Sequence, residues 1–451
     1  MQRLITPTIR ENLMTIDVNK KIFDLVPLVT EKPEAQKPSM PFKELIGIPI
    51  IINLGKVENI KESQSDLDGK TVNAFKNSLG LSNINYSKLT NISNEILQQS
   101  PYNGNTTIEF IEEHLFDWII ETYKNKKTLI EPLNYLQTKF EEEFDEYTYY
   151  FRIHALGIES PFQIGNVQIM FFSEEILEEL YSLFKLSQEN KTKEEFDAFF
   201  KPFEGRPIAK VQTKGTKNKS KLKGQKQVNT AIDILKAFLV EESVRPSTQL
   251  MDVEYRFKHL FPHSYIYETC SEKFDFHHTL ERIGGIEPVE LYDQRLKHLL
   301  NSGLDKVSDF AFSGANDELA ILIQRAIKKI GEYSSEDDLH ERVIKIISLY
   351  EFLFIPVTKG KGRGQTIVKS NVLKKIIEPS EQEEIIRIFN TFYDIRDKML
   401  HNGIEKHIDL NNLYKVQKIT LFLLKYLVEL NKKLKTKIQL YNYFKIKSGS
   451  N

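Results

Sequence analysis

Some common kinds of function are excluded by what this chain lacks. It carries one cysteine, Cys270, in 451 residues. That rules out an internal disulfide and any zinc cluster built on several thiolates, and it suits a reducing compartment. Its 62 basic and 63 acidic residues leave a formal net charge of -1, so no overall field draws a charged partner and charge has to be read locally. Long apolar runs are missing too. The longest near the start, Ile46 to Leu54, is broken by Gly47, Pro49 and Asn53, and a membrane helix needs about 20 apolar residues. The opening Met-Gln-Arg-Leu-Ile-Thr-Pro runs into polar positions rather than the apolar core of a signal peptide. A cytoplasmic protein with no membrane partner is the expectation.

The residues that are present make a globular chain, 40% hydrophobic and 28% charged, long enough for two to four domains. An α+β organisation in three parts is expected. Residues 1–129 form an N-terminal region without an assigned role, with a buried strand over Ile46 to Leu54 and a helix over Glu109 to Lys124 that carries Ile111, Leu115, Trp118 and Ile119 on one face. Residues 130–245 are mixed. There Phe151, Ile153 and Ala155 alternate with Arg152 and His154, and Val167, Ile169 and Phe171 alternate with Gln168 and Met170. This period of two predicts a pair of strands joined by a turn, followed by a helix from Ser173 to Leu186. From Gly205 to Ile232 eight basic residues and no acid occur, a basic loop of 205–232 that is either a solvated connector or a track for phosphates. An amphipathic helix then carries Val228, Ile232, Leu235 and Leu239.

Residues 246–447 are read as helical. His259, His263, His277 and His278 fall within twenty residues, but Pro262 separates the first two and no paired carboxylate accompanies them, so no metal site is assigned. From Asn316 the pattern is steadily helical. Leu319, Leu322, Ile323, Ala326 and Ile330 mark one face. Leu339, Val343, Ile346, Ile347, Tyr350 and Leu353 mark a second, with Ser335 and Asp338 as a capping pair. After Pro356 comes Lys359-Gly-Lys-Gly-Arg-Gly364, which lacks the ending of a nucleotide-binding loop and reads as a connector or an auxiliary RNA contact. Ser380 and Glu383 form a capping box for a third helix with Ile385, Ile388, Phe392, Ile395 and Met399 inward and Gly403 as its terminator. Asp409 caps a fourth, with Leu413, Val416, Leu423, Leu427 and Leu430. Four such helices joined by short connections predict an up-and-down bundle.

Thr391 to Gly403 is the stretch that carries chemistry. It holds Arg396 and His401, with Asp397 directly after the arginine. Arginine is a permanent cation whose fork grips phosphate, and histidine exchanges a proton near neutral pH. Those two roles suffice for metal-free RNA cleavage, with no cofactor. Residues five apart on a helix differ by about 140° and rise about 7.5 Å. One helix therefore makes a poor site, whereas two copies around a two-fold axis gather two arginines and two histidines in one cleft. A structural alternative exists for each residue: a helix-end salt bridge for Arg396 with Glu351, and a helix C-terminal cap for His401.

The helical pattern from Asn316 to about Tyr443 and the motif Tyr-Asp-Ile-Arg-Asp-Lys-Met-Leu-His-Asn-Gly at Tyr393 to Gly403 resemble the HEPN superfamily. Its pattern is an arginine, a polar residue, then a histidine four to six positions after the arginine. Leu349-Tyr350-Glu351-Phe352-Leu353 and the His-Asn-Gly ending look most like the ApeA-type branch, in which a large mixed region precedes the bundle. Tyr149 to Phe172, with Ile164-Gly165-Asn166-Val167, is similar to that region. The resemblance implies a HEPN-type bundle over about 316–443, a homodimer formed through it, and a metal-independent endoribonuclease of the kind used as a toxin or antiphage effector. Its N-terminal region would sense a phage-derived or protein trigger or choose the target. His401 would move protons to and from the RNA 2'-OH and the leaving 5'-oxygen, Arg396 would hold the scissile phosphate, and Asp397 would orient one of them. Tyr393, Asn402, Lys398, Lys361 and Arg363 would contact substrate, and Glu351 would support Arg396. Leu410 to Lys447, with nine lysines and Glu429 as its one acid, suits a polyanion. The other reading is a non-catalytic RNA-binding or dimerisation module of the same superfamily. A sensor of small nucleotides ranks below both, because no Rossmann-like strand and glycine loop is present.

Overall fold

A computed structural model describes residues 17–31, 74–76, 79–126, 130–187, 192–201, 204–239, 251–253, 256, 265–269, 274–277, 289–336, 338–355 and 364–446. Among them helices predominate around one larger sheet, an α+β architecture. The chain divides into two compact units, one of residues 1–146 with 214–220, the other of residues 147–213 with 221–451. The strand expected over 46–54, the histidines 259, 263 and 278, and Cys270 lie outside the described residues.

The first unit pairs β1 (Thr30–Glu31) and β2 (Ala74–Lys76) with β3 (Leu79–Leu81). Its core comes from α1 (Asn83–Leu97), α2 (Ile108–Asn125) and α3 (Pro132–Glu143). In α2 the expected stripe of Ile111, Leu115, Trp118 and Ile119 is buried. Thr107 caps the helix by accepting from the Phe110 N–H, which satisfies one of the donors that a helix start leaves open.

β4 (Asp145–His154) is the central strand of a sheet whose hydrogen-bonded order is β11 (Phe274–His277), β10 (Tyr265–Thr269), β4, β8 (Pro207–Gly215), β7 (Val167–Phe171), β6 (Phe162–Ile164); β9 (Asp252–Val253) also pairs with β4, and β5 (Leu156–Ile158) pairs separately with β12 (Val289–Leu291). The pairings β10–β11, β10–β4, β6–β7 and β7–β8 are antiparallel. Strands occur where the alternation predicts them, but β4 and β7 are not each other's partners: β7 turns back on β6 through Gly165 and pairs with β8 on its other side. Tyr147 to Phe151 are all buried. Tyr147, Tyr149 and Phe151 belong to the main core, while Tyr150 joins a second cluster with Phe172 and with Ile176, Leu180 and Phe196 from α4 (Glu174–Ser187) and α5 (Lys193–Phe200).

The lysine tract is helical rather than a loop. β8 runs on to Gly215 and α6 (Lys217–Leu239) begins two residues later. Lysine is a good helix former, and the buried positions of the tract, Ser220 and Gly224, are small. Gly224 lets the helix lie close to the sheet: a Cβ there would stand 3.3 Å from the Tyr149 ring. No large apolar residue marks this face before Val228, and so the periodicity looks polar.

Four long helices share the main core: α9 (Glu318–Ser334), α10 (Leu339–Phe354), α11 (Gln382–Asn402) and α12 (Leu410–Asn431). α10 packs on α9 and α11, and α12 packs on both α9 and α11. Short α7 (Asp293–Asn301) and α8 (Leu304–Phe312) precede them, and α13 (Lys437–Tyr443) follows. The expected stripes are buried, except that Leu339, Met399 and Leu430 are half-buried. Asp338 and Asp409 cap α10 and α12 as predicted, each accepting from two backbone N–H groups. Two other caps differ. Ser335 donates to the Gly331 carbonyl, and α11 starts from Glu381 without a side-chain cap, leaving Ser380 exposed.

α6 is locked to α9 by a buried charge cluster. Lys236 bonds Asp252 and, at 2.7 Å, Ser335; Arg256 reaches Asp233 at 2.8 Å and Asp252 at 3.2 Å. Asp233 lies so close to α9 that a Cβ on Gly331 would fall 2.3 Å from its Oδ1. Burial lifts the Asp233 carboxyl to about 6 against the pull of Arg256, and burial depresses the Lys236 ammonium.

Candidate active site

The last two turns of α11 carry the motif. Ile388, Phe389, Phe392 and Ile395 fix one side of the helix in the core, and the Phe389 ring meets Tyr350 edge-on at 4.9 Å. Tyr350 in turn pairs its hydroxyl with Thr420 of α12 at 3.2 Å. One residue further along α10, Glu351 therefore reaches the edge of the stripe where Arg396 emerges. Gly403 then ends the helix in the left-handed region, at φ 63°, with its N–H returned to the Met399 carbonyl and the Ile404 N–H to the Lys398 carbonyl. Glycine takes that conformation without steric cost.

Arg396 is one-quarter exposed and held between two carboxylates: Nη2 donates to Glu351 at 3.0 Å and Nη1 to Asp397 at 2.8 Å. The ion pair with Glu351 is the one the sequence suggests. Burial works against the Arg396 charge, but its hydrogen bond to Asp397 and the field of Glu351 outweigh it and raise the pKa. Glu351 is raised as well, which for a carboxyl disfavours the charged form. Its burial, with Asp397 adding like charge, lifts its pKa in spite of Arg396. Two donors here have no hydrogen-bond partner among the described residues, the buried Arg396 Nε and the buried Tyr393 hydroxyl.

The described residues match no family model, no curated protein and no solved structure.

His401 and Asn402 are exposed at the end of the helix. Asp397 and Lys398 lie within a turn of them, and Lys398 pairs with Asp394 at 3.1 Å. Tyr393 is buried, at 3% exposure, near Glu351 and Arg396. Lys361 and Arg363 lie outside the described residues. Other features of this end of the helix carry no signal in the sequence. Lys406, beyond the terminator, bonds Asp394, and its carbonyl accepts from His340 Nε2 at 2.7 Å, tying the segment after α11 to the start of α10. Leu400 and Ile404 flank His401 with 54% and 51% of their surface exposed. Among the described residues no group of three or more His, Cys, Asp or Glu side chains converges as a metal site would require, and no helix is long and apolar enough to cross a membrane.

Proposed function

We propose that this chain is a metal-independent endoribonuclease, with Arg396 and His401 as its catalytic residues, Asp397 beside them, and a second copy completing the site. The observation that carries the reading is the placement of the motif: the arginine is anchored at the core edge by a carboxylate, and the histidine stands free at a glycine-terminated helix end. Within a HEPN-like bundle, the exposed Leu400 and Ile404 beside His401 suit burial against the same helix of a partner. One imidazole would take the proton of the 2'-OH as that oxygen attacks phosphorus, and the other would protonate the departing 5'-oxygen. Arg396 would bind the phosphate and the charge that builds on it. The products are a 2',3'-cyclic phosphate and a 5'-OH. DNA, lacking the nucleophile, is not cut.

Purified protein incubated with total cellular RNA in the presence of EDTA should generate such ends, while Arg396→Ala and His401→Ala should not. Cleavage that needs Mg²⁺, or that survives both substitutions, would overturn the assignment. One observation favours a second reading, a non-catalytic RNA-binding or dimerisation module: both terminal nitrogens of Arg396 are already engaged within the subunit. RNA binding and dimer formation without cleavage would support it. A role as a toxin or antiphage effector, with residues 1–129 and the mixed region sensing a trigger, belongs to the same proposal. Expression of the wild type, but not of His401→Ala, should then arrest growth.

A further inference from the structure

The guanidinium of Arg396 offers five N–H donors in a planar fork, and a phosphodiester is gripped by two of them in parallel. Here Glu351, from α10, occupies one terminal nitrogen and Asp397 the other, while Nε is buried. Two carboxylates against one cation leave the spot with a surplus negative charge. A phosphodiester approaching it meets an arginine already satisfied and a field of its own sign.

The two carboxylates are not equivalent. Asp397 is 53% exposed and can swing into water, where a free carboxylate is well solvated. Glu351 is only 24% exposed and comes from a neighbouring helix. If Arg396 turns to a phosphate, Glu351 stays behind as a half-buried anion without its cation, and that cost opposes ligand binding. We propose that Glu351 and Asp397 form a carboxylate clamp that an RNA phosphodiester must displace, with Glu351 as the positioning residue that sets whether Arg396 is open. This rests on the ribonuclease reading for the identity of the ligand. The clamp itself rests on geometry alone. The direction in which Glu351 titrates agrees with it, because its ionised form is held mainly by Arg396.

The test uses full-length wild type, Glu351→Gln, Asp397→Asn and Arg396→Ala, with two readouts. The first is the rate at which the arginine reagent phenylglyoxal modifies Arg396, followed by peptide mass spectrometry; the second is RNA cleavage. Glu351→Gln, close to isosteric, should raise the modification rate several-fold, and Asp397→Asn should raise it less. Cleavage should rise in Glu351→Gln as well. Equal modification of wild type and Glu351→Gln overturns the clamp, whatever happens to RNA. Faster modification with reduced cleavage also overturns it, because Glu351 would then hold Arg396 in its productive position. If modification accelerates and no variant cleaves RNA, the clamp is supported and the ribonuclease assignment fails. Should Glu351→Gln not fold, Asp397→Asn carries the same comparison, and an unchanged rate there overturns the two-sided clamp.

Discussion

Arg256 and Arg396 each sit between two carboxylates, yet one belongs to a lock and the other to a surface. Around Arg256, Asp233 and Asp252 are joined by a second cation, Lys236, so two negative charges face two positive ones. Asp233 and Lys236 are 3% and 1% exposed. Around Arg396 no second cation is paired with Glu351 or Asp397 among the described ion pairs, and water reaches all three side chains. A buried group of charges is tolerated only when it is complete, since removing one member strands the others in low dielectric. An incomplete group at the surface can exchange partners with a ligand. Balance and burial, more than the identity of the residues, separate structure from candidate function here.

The sharpest way to break this comparison is to remove one cation from each cluster. Lys236→Ala should destabilise the protein by about 3–5 kcal/mol in urea unfolding, because it uncovers buried carboxylates. Arg396→Ala should cost no more than about 1 kcal/mol by the same measurement, since its pairs are partly solvated. Equal losses would make the Arg396 cluster structural too. Next in size is Gly331→Ala, whose methyl group would collide with Asp233. It should cost about 1–3 kcal/mol, as overpacking does, and the same scan of urea midpoints reads it out.

A pH series sharpens the contrast. The folded pKa of Glu351 is raised above 4.5, its ordinary value, by burial and by Asp397, with Arg396 pulling the other way and Tyr393 close by. The cost of its ionised form is present above that folded value and is lifted as pH falls through it. Wild type should therefore gain stability relative to Glu351→Gln on acidification. The ratio of their Arg396 modification rates should fall toward one over the same range, and a ratio independent of pH would count against this account. Smallest of all is Lys406→Ala. It breaks a pair with Asp394 that both partners make at the surface, and its urea midpoint should stay with the wild type.

Much of the second unit is legible in the sequence. The stripes of α9 to α12, the Asp338 and Asp409 caps and the Gly403 terminator follow from spacing and local chemistry, which act within a few residues; the pairing of Arg396 with Glu351, 45 residues away, is a suggestion that local rules do not supply. What escaped depends on partners distant in sequence. Nothing near Asp233 announces Arg256, because the two meet only when residues from separate elements are brought onto α9. The early turns of α6 were hidden because their buried side is Ser220 and Gly224, which a hydrophobic period does not register. Residues 205–232 accordingly read as a loop, either solvated or tracking phosphates. The partners of β4 were missed for a related reason: alternation shows that a strand exists and which residues share a face, but not which strand lies beside it.

That same strand has a consequence for how this protein tolerates variation. An ordinary half-exposed strand accepts polar exchange at every second residue. β4 is walled in on both sides, by α6 on one and by α4 and α5 on the other, through the five consecutive residues Tyr147 to Phe151. Across a family of such chains this segment should drift as a block of bulky residues, without the odd–even rhythm that marks an outer strand.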